Sequence, residues 1–113
     1  MKKYLAVFVA PVEAYDKMKE EMKSTSPEAK QKEMDDWKAW MDKYSSSIVD
    51  PGGGVGSAKR VSEGGAVSDV HNEIGGYMIL QAENIDEVVD IFKDGPHSDM
   101  PEGAVEVMEI MSM

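Results

Sequence analysis

The sequence holds two histidines, the side chains best suited to moving protons near neutral pH. His97 follows Gly95-Pro96, just beyond the stretch that reads as the last helix. The negative end of a helix favours an imidazolium there, and Asp99 or Asp94 could orient the ring. General acid–base work needs a titratable group of this kind in a sheltered place, so His97 with Asp99 is the candidate catalytic pair. The competing reading is a helix-terminal histidine that only satisfies backbone carbonyls. His71 sits in a polar segment beside Asn72 and Glu73. It is a candidate ligand contact, or else an ordinary surface residue of a loop. A metal would need both histidines and several carboxylates to converge, which the spacing does not demand. No metal and no other cofactor is expected.

Aromatic side chains commonly wall ligand pockets. Trp37 shares a helical stripe with Met34 and Met41 and reads as packed core. Trp40 lies off the centre of that stripe and is the better candidate for contact with a ligand or a partner. Tyr77 follows Gly75-Gly76, a pair that lets another backbone approach closely, and is a second ligand-binding candidate. Asp50 is a third, against the plain alternative of a turn-forming Asp before Pro51. The run Gly52-Gly53-Gly54-Val55-Gly56 is no phosphate loop, because no Gly-Lys-Ser/Thr follows it. It reads as a flexible loop near a pocket mouth.

Composition narrows the classes further. There are no cysteines, which removes disulfides, thiolate metal sites, iron–sulfur clusters and thiol nucleophiles. A formal charge of −10 argues against nucleic acid, whose affinity rests on Lys and Arg neutralising phosphates. It argues equally against an anionic membrane surface. The apolar run after Met1-Lys2-Lys3 is at the short limit for an export signal, and Pro11 and Glu13 follow at once. No segment approaches the length of a membrane span. The expectation is a single cytoplasmic domain over residues 1–113, since domains usually run to ~100–150 residues.

The elements that must position these side chains are legible from period and punctuation. Residues 4–10 are aromatic and β-branched and stop at Pro11, as a strand should. Tyr15, Met18 and Met22 mark a short peripheral helix or turn over 12–23. Ser26-Pro27-Glu28 is a helix start, and Met34, Trp37, Met41 and Tyr44 carry that helix to about residue 45. Ile48-Val49 predicts a short strand, and Asp50 to Gly54 a loop. Residues 57–62 and 66–70 read as hairpin arms around Glu63-Gly64-Gly65. A strand over 77–82 precedes a helix capped by Asn84, with Ile85, Val88, Val89 and Phe92 on one face. Gly95-Pro96 stops it, and a last strand runs from Ala104 to about Met111.

This order, βαββαβ in its main elements, predicts an α+β ferredoxin-like sandwich: an antiparallel sheet with two helices on one face. Two helices shelter one side of such a sheet. The strand at 4–10 is nonetheless apolar on both sides, with Tyr4, Ala6 and Phe8 on one and Leu5, Val7 and Val9 on the other. A second copy over the helix-free sheet face is the expected cover. Burying ~600 Å² of apolar area per subunit would contribute on the order of 15 kcal/mol before association costs.

In order and spacing, several segments resemble the YCII-related (DGPF) proteins. They are the opening strand, Trp37-Lys38-Ala39-Trp40-Met41, Val49-Asp50-Pro51-Gly52, Ile74-Gly75-Gly76-Tyr77, the helix after Asn84, and Val105-Glu106-Val107. The resemblance covers nearly the whole chain and implies a ferredoxin-like fold assembled as a dimeric α+β barrel. Some relatives are thought to act on small aromatic or chlorinated rings with a His–Asp pair. The matching stretch here, Glu33-Met34-Asp35-Asp36, has no histidine, so that pair is not carried over. The signature expected before Gly75-Gly76 is replaced by Ser68-Asp69-Val70-His71. Two functional readings stand together. One is a protein that binds or transforms a small, ring-containing metabolite in a cavity between sheet and helices. The other is a non-catalytic dimeric binding or regulatory module.

Overall fold

The first strand, β1 (Lys2–Val9), is rich in the β-branched and aromatic residues that suit a pleated surface. In the computed structural model, which describes residues 1–96 and 102–111, it becomes a central strand rather than an edge. After Pro11 the chain enters α1 (Val12–Ser24), a helix with no buried residue. The second helix, α2 (Pro27–Lys43), starts where the residue types dictate. The Ser26 hydroxyl accepts the Ala29 N–H at 3.2 Å, and Pro27 occupies the first turn, where a missing N–H costs nothing.

The chain then forms β2 (Ile48–Gly54), the short arms β3 (Ala58–Val61) and β4 (Val67–Val70), and β5 (Ile74–Ala82). Helix α3 (Ile85–Lys93) follows, and β6 (Ala104–Glu109) closes the set. Asn84 caps α3 by accepting the Glu87 N–H at 3.1 Å, while the Glu87 carboxylate accepts the N–H of Glu83. At its other end the Gly95 N–H returns to the Phe92 carbonyl.

Four strands make one sheet in the order β2-β5-β1-β6, every neighbour antiparallel. The arms β3 and β4 form a separate two-stranded sheet. The registers Tyr4↔Leu80 and Ala6↔Met78 set those four residues on one face, and Leu5↔Ile79 and Val7↔Tyr77 set theirs on the other. The first face is the core. Tyr4, Ala6, Met78, Leu80 and Ala82 meet Trp40 of α2 and Val88, Ile91 and Phe92 of α3. Rings interlock there edge to face, Phe8 against both Trp37 and Phe92 with centroids 5.9 Å apart. The opposite face carries Leu5, Val7, Tyr77 and Ile79, with Met108 exposed beside Leu5. Its apolar character is the one expected from β1.

Several boundaries differ from expectation; β1, for one, starts at Lys2 rather than Tyr4 and ends at Val9 rather than Ala10. The Asp50 to Gly54 segment, read as a loop, is part of β2, because register shifts on either side of Asp50, one at Val49 and one at Pro51-Gly52, let Gly53 and Gly54 pair with Tyr77 and Gly76. Gly52 is essential to that path. Its φ is +64°, and a Cβ there would lie 1.9 Å from the Tyr77 carbonyl oxygen. By the same pairing β5 starts at Ile74 rather than Tyr77, and β6 ends at Glu109 rather than Met111.

Candidate functional site

Pairing between β2 and β5 continues past Gly54, where the Val55 N–H reaches the Gly75 carbonyl at 3.0 Å. The two strands then part, and the chain runs out into the β3–β4 hairpin. Between this hairpin and α1 lies an open cleft of about 1080 Å³. Its walls combine the apolar Met18, Val55, Ala58, Val70 and Ile74 with the polar Tyr15, Lys19, Lys59, Asp69, His71 and Asn72. An apolar hollow with a few convergent polar groups is the usual form of a small-molecule site.

Tyr15 fixes one wall. Its hydroxyl is shared between two carbonyls, Glu73 at 2.9 Å and Phe8 at 3.2 Å, and so ties α1 to the start of β5 and the end of β1. Burial, reinforced by the Glu73 carboxylate, holds this phenol above its ordinary pKa. The ring occupies space that only glycine leaves open: a Cβ on Gly75 would lie 2.6 Å from the Tyr15 hydroxyl oxygen. Gly75 also sits where the β1–β5 register shifts, Phe8 facing Gly76 and Val9 facing Ile74. The opposite wall is turned by Asn72, whose side-chain oxygen accepts the Ile74 N–H at 3.0 Å. Lys59 pairs with Asp69 at 3.1 Å across the hairpin, while Lys19 has no ion pair among the described residues.

The residues singled out from sequence are not gathered in one place. His71 lines the cleft, exposed and without a hydrogen bond among the described residues. Trp40 is 5 % exposed and belongs to the core, its indole N–H donated to the Ile91 carbonyl at 3.1 Å. Asp50 accepts the Gly52 N–H at 2.8 Å, which makes it the turn former that its place before Pro51 suggests. Tyr77 is half-buried on the sheet face turned away from α2 and α3, with Gly52 packed against its carbonyl. His97 and Asp99 lie outside the described residues. Asp94, an alternative partner for His97, is engaged elsewhere. It accepts from Lys43 Nζ and from the Tyr44 hydroxyl, both at 2.7 Å, and these bonds hold its carboxyl below the usual range.

The centre of the space between sheet and helices, where a cavity was expected, is filled by Trp40, Phe92, Leu80 and Val88, and a hollow of about 290 Å³ remains between α3 and β6, lined by Val89, Phe92, Lys93, Val105 and Val107. The wider cleft lies elsewhere, against Tyr15, Met18 and Lys19 of α1. Tyr15 is the cleft residue that periodicity alone assigned to a helix face. The adjacent pair Gly75-Gly76 was the signal that some group lies flat against the backbone there.

Among the described residues no three His, Asp or Glu side chains cluster as a metal ion would require, and no helix is long and apolar enough to cross a membrane. Compared with protein-family models and with curated proteins, the chain matches none.

Proposed function

We propose that this protein is a homodimeric binding module of the ferredoxin-like class, related to the YCII family, that holds a small amphipathic ring compound in the cleft between α1 and the β3–β4 hairpin without transforming it. The strand order β2-β5-β1-β6, with α2 and α3 sharing one face, supports the ferredoxin-like reading. The apolar face turned away from α2 and α3 supports the dimer, because Leu5, Val7, Tyr77 and Ile79 lie on it outside the core cluster.

The setting of His71 carries the choice of binding over catalysis. An acid–base catalyst needs its titratable group sheltered and oriented by a second group. His71 is exposed and lacks an orienting partner among the described residues. What the cleft offers is shape and charge: apolar walls for a ring, with Lys19 and His71 placed to meet an anionic or hydroxylated substituent.

Differential scanning fluorimetry with benzoate, hydroxybenzoates and chlorobenzoates tests this. Saturable stabilisation is expected for at least one ring acid, since ligand at a hundredfold excess over Kd adds about 2.7 kcal/mol. His71→Ala and Lys19→Ala should each weaken it. Turnover of a stabilising compound would overturn the non-catalytic part of the proposal. Stabilisation unchanged in both variants would move the site away from the cleft.

A further inference from the structure

We infer that the β3–β4 hairpin is a dimer arm, whose tip packs on a second copy of this chain and thereby steadies one wall of the cleft. The inference rests on the dimer proposed above and adds where the second copy must reach.

The chain has more surface than its mass calls for. It exposes 8162 Å² at 12.4 kDa, whereas a compact monomer of that mass exposes about 6,100 Å². Its radius of gyration is 15.9 Å, against about 13 Å for a compact domain of this length. The excess of about 2,000 Å² per copy is what an obligate dimer hides, since such interfaces bury ~2,000–5,000 Å² over both partners. The sheet face turned away from α2 and α3 accounts for little of it, because Leu5, Tyr77 and Ile79 are already half-buried and Val7 more so. Most of the excess therefore belongs to elements that stand away from the sheet.

The hairpin is the plainest of these. The extensive packing of β3 is on β4 alone, and an isolated two-stranded ribbon is marginal in water unless something covers a face. At its tip Val61 and Val67 are direct cross-strand partners, 71 % and 62 % exposed. Two β-branched side chains paired in this way form a ready contact surface. Arg60, the chain's one arginine, lies between the tip and Lys59 and has no ion pair among the described residues. On a chain of formal charge −10, a second copy is an acidic surface suited to receive it. Because the same hairpin forms one wall of the cleft, seating its tip on the partner would hold that wall in place.

The absence of cysteine allows a single spin label to be placed cleanly. With Val61→Cys labelled, the nitroxide should be immobilised at concentrations where sedimentation reports dimer and should become mobile on dilution to monomer. The double variant Val61→Glu/Val67→Glu should weaken self-association tenfold or more and leave the far-ultraviolet circular dichroism unchanged. A label that stays mobile in a sample sedimenting as dimer overturns the arm, while a matching label at Ile79→Cys that becomes immobilised shows the sheet-face dimer standing without it. Sedimentation as monomer at every concentration overturns both.

Discussion

Trp40 is the residue at which a site reading and a packing reading diverge most sharply, and Trp40→Ala separates them. The indole is 5 % exposed and touches Tyr44, Trp37 and Phe92, with ring centroids 5.4–5.9 Å apart. Removing it leaves a cavity at the junction of α2, α3 and the sheet, and such truncations cost about 3–5 kcal/mol. The hydrogen bond to Ile91 adds little, because that carbonyl also accepts the Asp94 N–H at 3.3 Å and is not orphaned. For a chain of this length about 1 kcal/mol lowers Tm by roughly 4 °C, so a fall of about 12–20 °C is expected. Urea denaturation followed by circular dichroism should give the same loss through a lower midpoint at unchanged slope. Trp40→Phe, which keeps a ring but not the N–H, should recover about half. A Trp40→Ala protein within about 1 kcal/mol of the parent would refute the core assignment and return Trp40 to the surface.

Three further outcomes follow from the geometry. Gly52→Ala combines a left-handed φ with a Cβ driven into the Tyr77 carbonyl, so β2 must shift and the loss in chemical denaturation should reach about 3 kcal/mol or more; full stability would show that β2 takes another path. Tyr15→Phe removes both hydrogen bonds that fasten α1 and should cost about 1 kcal/mol, with amide exchange accelerating in α1 and not in α3; uniform exchange would contradict it. Asp94 has its carboxyl lowered by the bonds from Lys43 and Tyr44. A carboxyl lowered in the folded state stabilises it above the unfolded pKa of about 3.9, and that contribution fades as pH falls through the lower folded value. Asp94→Asn should therefore narrow the stability difference between neutral and strongly acidic solution, and an unchanged acid limb would refute the tie.

Much of the scaffold was legible because its signals are local. Ser26-Pro27 and Asn84 announce helix starts through bonds made within three residues, and the structure shows both bonds. The alternation in β1 identified a strand with two apolar faces, which is what the registers show. The middle of the chain read less well. Gly53 and Gly54 have no strand preference of their own and are held extended by Tyr77 and Gly76, some twenty residues away, a tertiary override of propensity. The cleft was legible only in part, through His71 and the glycine run near its mouth, and the rest was hidden for the same reason. Tyr15 and Gly75 stand sixty residues apart, and neither residue type reveals that one fills the space the other leaves open. Trp40 misleads in its own way, for a stripe drawn at helical spacing does not show that two helices and a sheet meet over its edge.

The place of β1 has a bearing on how the molecule is made. Its neighbours are β5 and β6, so the segment with two greasy sides leaves the ribosome ahead of partners translated about seventy and a hundred residues later. Loop closure over such spans is slow, and folding is expected in milliseconds to seconds rather than microseconds. Until those strands emerge the nascent chain carries a bare, sticky ribbon, and every ribosome that stalls before β6 leaves one flank of that ribbon open to aggregation.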